Sequence, residues 1–211
     1  MRVSERLNTL LCGLLLLVAS AQAQTSTPTS IADPALRQEL LKMVEQDQAI
    51  RNELIKKGIE HPDKALEARM AKIDAANTAR VKEIVRRHGW PGPELVGSDG
   101  TEAAFLIVQH ADHAFQKEML PLVRDAYRAG KLSGQSYALL LDRVRVGDGK
   151  PQVYGTQAKR FEHWKGGEPA LEPIEDEANV DKRRAEVGLF PLSEYIELLK
   201  RIYFPQNKDK K

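Results

Sequence analysis

Cysteine is almost missing from this chain of 211 residues. Its single copy, Cys12, lies inside an apolar run, and Leu11 precedes it while Leu14–Val18 follows. That order rules out a lipid-attachment site, which wants a small residue before the Cys and the apolar stretch upstream. With one thiol there is no disulfide, no Cys-built zinc site and no cysteine nucleophile in the part that folds. A surplus of either charge is also lacking: 32 Lys and Arg stand against 30 Asp and Glu, for a net charge of +2. A dedicated nucleic-acid binder normally presents a basic face, so no nucleic-acid partner is expected. No second long hydrophobic run follows Leu10–Ala19, so no membrane span is expected after the first segment. Gly-x-Ser-x-Gly, a Walker loop, a dinucleotide fingerprint and His-Glu-x-x-His are absent as well, which removes the common serine-hydrolase, nucleotide and zincin readings.

The start of the chain carries Arg2 and Arg6, then the short apolar run, then Ala21-Gln22-Ala23. A charged start, a greasy middle and an Ala-x-Ala end describe a secretory signal peptide, predicted over residues 1–23. The chain is therefore expected to be exported, to a periplasm or outside the cell. Residues 24–33 are polar and read as a flexible leader. Residues 34–205 are one domain's worth of chain with 42% hydrophobic residues overall, enough for one core. Residues 206–211 read as a solvated tail. Nothing in the sequence sets the oligomeric state.

The pattern predicts a mainly α fold, a single-domain helical bundle with a small late β-hairpin or ribbon. Asp33-Pro34 opens a first helix to about Lys57, stopped by Gly58. Pro62-Asp63 opens a second to about Arg87, before His88-Gly89-Trp90-Pro91. Asp99-Gly100-Thr101 opens a third, through Phe115 or beyond, and Pro121 bends it or starts another that ends near Gly130. Ser133 caps a further helix to about Val146. The stretch from Gln152 to Ile174, with Val153, Tyr154, Thr156, Phe161 and Trp164 before Lys165-Gly166-Gly167, reads as the ribbon. Short helices follow over 179–187 and 191–203.

Polar residues interrupt the apolar seams. The first helix carries Leu36, Leu40, Met43, Asp47, Ile50 and Leu54 at spacings of 4, 3, 4, 3 and 4. Asp47 sits mid-seam, and Arg51 can pair with it at i, i+4. Asn77 occupies a seam position of the second helix, with Asp74 beside it. The third is apolar all round from Ala103 to Val108, then reads Gln109-His110-Ala111-Asp112-His113, which as helix puts Gln109 and His113 on one face. Asp142-Arg143 follows an apolar run in the fourth. Each unpaired buried polar group costs about 1–3 kcal/mol, a heavy burden on a stability of about 5–15 kcal/mol. The groups are therefore expected to meet at one interior spot. There they form either a structural network or the floor of a pocket.

Gly89-Trp90-Pro91, the QHAD string at 109–112, Asp142-Arg143 and Tyr154-Gly155-Thr156-Gln157 together resemble an uncharacterised bacterial domain family of unknown function. Asp181-x-x-Arg184 followed by Gly188-Leu189 adds to the likeness, which runs from about Leu36 to Tyr203. The resemblance implies a shared fold and candidate positions, and it implies no reaction.

Two chemistries suit these residues. His110 and His113, three apart, could share a metal ion with Asp74 or Asp142. Without metal, His110, His113, Asp142 and Tyr154 are the candidate catalytic groups for proton transfer. Asp47, Arg51, Asp74, Asn77, Gln109, Arg143, Gln157 and Arg184 are the candidate ligand-binding groups, the arginines for a carboxylate or phosphate. A small polar or anionic ligand and a hydrolase or transferase reaction fit that set. The competing reading is a non-enzymatic envelope or interaction protein whose buried polar groups only fix helix register. Alanine at His110 or Asp142 separates the two: little loss of stability speaks for function, several kcal/mol for a structural network.

Overall fold

The structure, a computed structural model, describes residues 30–57, 63–160, 163–164 and 168–203. The signal peptide, Cys12, the Gly58 stop, Pro62, Phe161, Lys165-Gly166-Gly167 and the tail lie outside the described residues.

Among the described residues seven α-helices follow in order: α1 Pro34–Lys57, α2 Lys64–His88, α3 Pro93–His110 (kinked at Gly97, φ 73°), α4 His113–Arg128, α5 Gly134–Gly147, α6 Val180–Glu186 and α7 Leu192–Tyr203. Their starts follow local chemistry. Asp33 accepts from Leu36 N at 2.9 Å, Asp63 from Ala65 N at 2.9 Å, and Ser133 from Ser136 N at 3.0 Å. Each side chain satisfies an amide that the first turn leaves without a helical partner. Both seams face inward: Leu36, Leu40, Met43, Asp47, Ile50 and Leu54 of α1 are buried, as are Leu66, Met70, Asn77, Val81 and Ile84 of α2.

Helix α3 is the central element and packs on α1, α2, α4 and α5. Its stretch from Ala103 to His110 is buried without interruption, which is why no polar face shows in its sequence. The main core gathers side chains from α1 to α5, among them Leu40, Val81, Phe105, Phe115 and Leu140, with Trp90 packed against it. A second apolar cluster, Ile50, Leu54, Leu66 and Met70, closes the far end of the α1–α2 pair.

Two expectations fail here, each for a local reason. The third helix does not run through to Phe115. It ends at His110, where Ala111 turns extended (φ −73°, ψ 176°), and Asp112 accepts from Phe115 N at 2.9 Å to cap a new helix. Pro121 does not start a helix. It lies within α4.

The late β-hairpin is the second. No strand occurs among the described residues, only isolated bridges between Gln152 and Ile174 and between Ala158 and Leu171. A ribbon needs its amides to pair across to a neighbouring strand. Here the amides of Val153, Tyr154 and Thr156 turn to the Asp142 carboxylate instead. Gly155 between them has φ +69°, a left-handed backbone that breaks pleating and suits glycine. A Cβ there would also stand 2.8 Å from Leu192 Cδ1.

The C-terminal part folds back over this coil. Arg184 of α6 donates to the carbonyls of Tyr154 at 2.6 Å and Phe190 at 2.7 Å. Its guanidinium also lies 5.3 Å from the Tyr195 ring centroid and 5.8 Å from that of Phe190, so the buried cation is held by carbonyl oxygens and ring faces. Tyr195 Oη donates to Thr156 O at 2.7 Å, and Tyr195 and Leu199, one turn apart on α7, pack with Ala158 and Trp164.

Candidate functional site

The buried polar groups form two neighbouring clusters rather than one. The first lies between the two apolar ends of the α1–α2 pair and takes residues from three helices. Asp47 and Arg51, each 1% exposed, are joined across one turn by Nη1–Oδ1 at 2.7 Å. The other arm of Arg51 reaches Asp74 of α2, Nη2–Oδ1 at 2.8 Å. His110, the last residue of α3, sets Nδ1 at 3.0 and 2.8 Å from the two oxygens of Asp47. Gln48 donates to Asp47 Oδ2 at 2.8 Å. Asn77 is buried one turn beyond Asp74.

Charge fixes the tautomer of the imidazole. Burial, then the adjacent Arg51 and Arg143, push His110 down to about 4, against the pull of Asp47. Burial works to raise the Asp47 carboxyl, but His110, Arg51 and Gln48 together hold it below the usual carboxylate range. At neutral pH the carboxylate is ionised and only accepts, so Nδ1 carries the ring proton and Nε2 keeps its lone pair. Nε2 is buried and has no hydrogen-bond partner, and the same is true of Arg51 Nε and Asn77 Nδ2.

Folding and unfolding must then differ in proton uptake. Between about pH 4 and 6.5 the unfolded chain binds a proton that folded His110 refuses. The contribution is fully present above pH 6.5 and is lost as pH falls toward 4, with a slope approaching about 1.4 kcal/mol per pH unit. Urea unfolding at a series of pH values is expected to show that slope in the native chain and its loss in His110→Gln. A flat native profile across the window would refute the assignment.

The second cluster is built on Asp142, fully buried on α5. Its carboxylate accepts from Val153 N at 2.6 Å, Tyr154 N at 3.1 Å, Thr156 N at 3.0 Å and Thr156 Oγ1 at 3.0 Å. Burial outweighs these bonds and raises its carboxyl above the usual range. Gln157 Nε2 donates to Thr156 Oγ1 at 2.9 Å. Gln152 ties the coil to itself, accepting from Gln157 N at 2.7 Å and donating to Glu172 O at 2.8 Å. Tyr154 is half-buried, and burial with the neighbouring Tyr137 and Asp142 pushes its phenol up to about 12.

Asp142 and Arg143 do not pair with each other. Consecutive helix positions lie about 100° apart, and the two side chains diverge, Asp142 to the coil and Arg143 to α3. The Gln109 carboxamide, with its oxygen turned to Arg143, accepts from Nε at 2.8 Å and Nη2 at 3.2 Å. Arg143 thereby bridges toward the His110 cluster.

His113 stands apart from both. The break at Ala111-Asp112 removes it from the face of Gln109, and it is 40% exposed, with Nε2 at 3.0 Å from Asp148. Gly147 lies directly under its ring, where a Cβ would stand 2.4 Å from Nδ1. His110 and His113 are thus not brought together on one metal. Among the described residues no group of three or more His, Cys, Asp or Glu gathers in a way that could hold a metal ion. The one feature that could have revealed this from sequence is Asp112, a good N-cap read as part of a helix.

Comparison with known families decides what this arrangement belongs to. A family model described as "Family of unknown function (DUF6624)" matches residues 34–208. The chain belongs to that family. Its matched region takes in every described helix and both polar clusters. No curated protein and no solved structure matches the chain. Membership supplies no reaction, so the chemistry rests on the residues. Among the described residues no helix is long and apolar enough to cross a membrane.

Gln48, Gln152 and Tyr195 complete the two clusters with Thr156 and were not among the candidate residues. Gln48 sits beside the seam rather than on it, and is buried because α1 is covered on two sides by α2 and α3. Tyr195 lies far in sequence from the Thr156 carbonyl it binds, and Gln152, besides its near neighbour Gln157, reaches Glu172 well beyond any local spacing.

Proposed function

We propose that the chain is an exported helical domain that holds a small polar ligand at the Asp47–His110 pair and acts on it as a hydrolase or transferase, with His110 Nε2 taking and returning the proton. One observation carries this reading: a neutral imidazole, oriented at Nδ1 by an ionised carboxylate, whose Nε2 is buried and unpaired. That is the arrangement a general base requires, with a partner fixing its tautomer and its other nitrogen unengaged. Arg51, itself tied to Asp74, holds Asp47, and Gln109 with Arg143 supplies a cation near the ring. Asp142, Tyr154, Gln157 and Arg184 belong in this reading to the frame of the coil rather than to the reaction, because Asp142 and Arg184 are already engaged with their own chain.

The test is turnover of a panel of 4-nitrophenyl esters, phosphate esters and glycosides by the purified chain. His110→Gln is expected to lower the rate about 10²–10⁴-fold, the range of general acid–base catalysis, while the fold persists. The native rate is expected to fall in acid through about pH 4, where the folded imidazole takes its proton. Turnover that His110→Gln leaves unchanged, or none with any panel member, refutes the reading. For export, N-terminal sequencing of protein secreted by its host is expected to begin at Gln24, and an intact Met1 would exclude cleavage.

A further inference from the structure

Three polar atoms of the first cluster share one property. His110 Nε2, Arg51 Nε and Asn77 Nδ2 are buried and without a hydrogen-bond partner. They are not scattered. Arg51 bonds Asp47 and Asp74, His110 bonds Asp47, and Asn77 lies one turn from Asp74 on α2. All three therefore belong to one layer of the bundle. Each buried atom left unmet costs about 1–3 kcal/mol, and three in one layer point to something that meets them together.

Their chemistry says what. The neutral imidazole offers a lone pair at Nε2, while Arg51 Nε and Asn77 Nδ2 offer hydrogens. One acceptor and two donors are the complement of a hydroxyl group, which has one hydrogen to give and two lone pairs to fill. A carboxylate or a phosphate dianion satisfies the donors and leaves the imidazole lone pair facing an oxygen lone pair. Charge argues the same way. Asp47 and Asp74 balance Arg51 and Arg143, so an entering anion would bring an uncompensated charge into a buried place.

We infer that this layer is a hydroxyl-binding site, in which the O–H of water or of an alcohol donates to His110 Nε2 and its oxygen accepts from Asn77 Nδ2 and Arg51 Nε. The assignment rests on the acid–base reading of His110 and narrows its ligand. The group set against the base is an uncharged hydroxyl, and an anionic ligand is disfavoured.

The experiment is ¹⁵N NMR of the histidine rings of the full chain at pH 7, alone and with glycerol, acetate or phosphate. His110 Nε2 is expected at the position of an unprotonated ring nitrogen that accepts a hydrogen bond. Glycerol is expected to move it saturably if an alcohol enters. If glycerol leaves the hydrogen-bonded position unchanged, the hydroxyl is water's, which also supports the site. Asn77→Leu is expected to weaken any glycerol response at least tenfold. A proton on Nε2, a nitrogen free of any hydrogen bond with and without glycerol, or saturable movement by acetate or phosphate overturns the inference. Its fate is separable from that of the proposed function. Turnover that depends on His110 without this Nε2 signature removes the hydroxyl assignment alone, and the signature without turnover removes the catalytic reading alone.

Discussion

Asp142→Ala is expected to cost about 3–5 kcal/mol of folding stability and to loosen the coil from Gln152 to Gln157. The carboxylate gathers three backbone amides and a hydroxyl from a segment with no strand partners. Alanine leaves those donors unmet, at about 1–3 kcal/mol each where water does not reach them. The loss then spreads, because Thr156 O holds the Tyr195 hydroxyl and Tyr154 O holds Arg184. Asp142→Asn keeps the shape but turns an NH₂ toward at least one donor, so it is expected to be destabilising too. Urea unfolding gives the magnitude, and amide exchange at 153, 154 and 156 gives the location. A loss under about 1 kcal/mol with unchanged exchange would show that the carboxylate does not organise the coil. This outcome departs from the expectation that a functional Asp142 would tolerate alanine, and assigns the residue to the frame.

Arg51→Ala is the second large effect, expected at about 3–5 kcal/mol, the usual consequence of removing one member of a buried charge pair. The guanidinium joins Asp47 on α1 to Asp74 on α2 and is almost fully enclosed. Arg51→Met keeps most of the apolar stem and isolates the charge. Either substitution also removes the nearest cation acting on His110, while Asp47 remains. The imidazole is then expected to titrate well above its value of about 4 in the native chain. NMR titration of the ring reads this directly. An unmoved His110 in Arg51→Met, alongside native stability, would mean that the network is not coupled as its distances imply.

The helices and their inward faces were legible because their signals are local. Asp33, Asp63 and Ser133 cap the turns that follow them, and the 3–4 spacing from Leu36 to Leu54 places one stripe inward wherever the helix lies. The Asp47–Arg51 pair was legible on the same ground, since i and i+4 meet on any helix. The break after His110 was less so. Asp112 caps as well as Asp33 does, but the apolar run before it reads equally well as a helix continuing, and only packing of α4 chose between them. Gln116 secures the choice by donating to the carbonyls of Gln109 and Ala111 at 2.9 and 3.0 Å.

The late ribbon was misread because β-branched and aromatic residues at 153, 154 and 156 state a preference for extended backbone without naming a partner. A buried carboxylate eleven to fourteen residues earlier outcompeted a neighbouring strand for the same amides. The single polar meeting point divided for a related reason. Asp142 and Arg143 are adjacent in the chain, yet their directions from the helix send them to different neighbours.

Short-range order, then, was written into neighbouring residues: where each helix begins, which side it buries, which charges lie one turn apart. Packing alone decided that His110 faces Asp47 while His113 faces solvent, and that Asp142 holds a coil while Arg143 turns to Gln109. The reason is range. A cap or a seam is complete within a few residues, whereas the surroundings of a buried side chain are supplied by helices far away in sequence, and their rotation and position exist only once the core has closed.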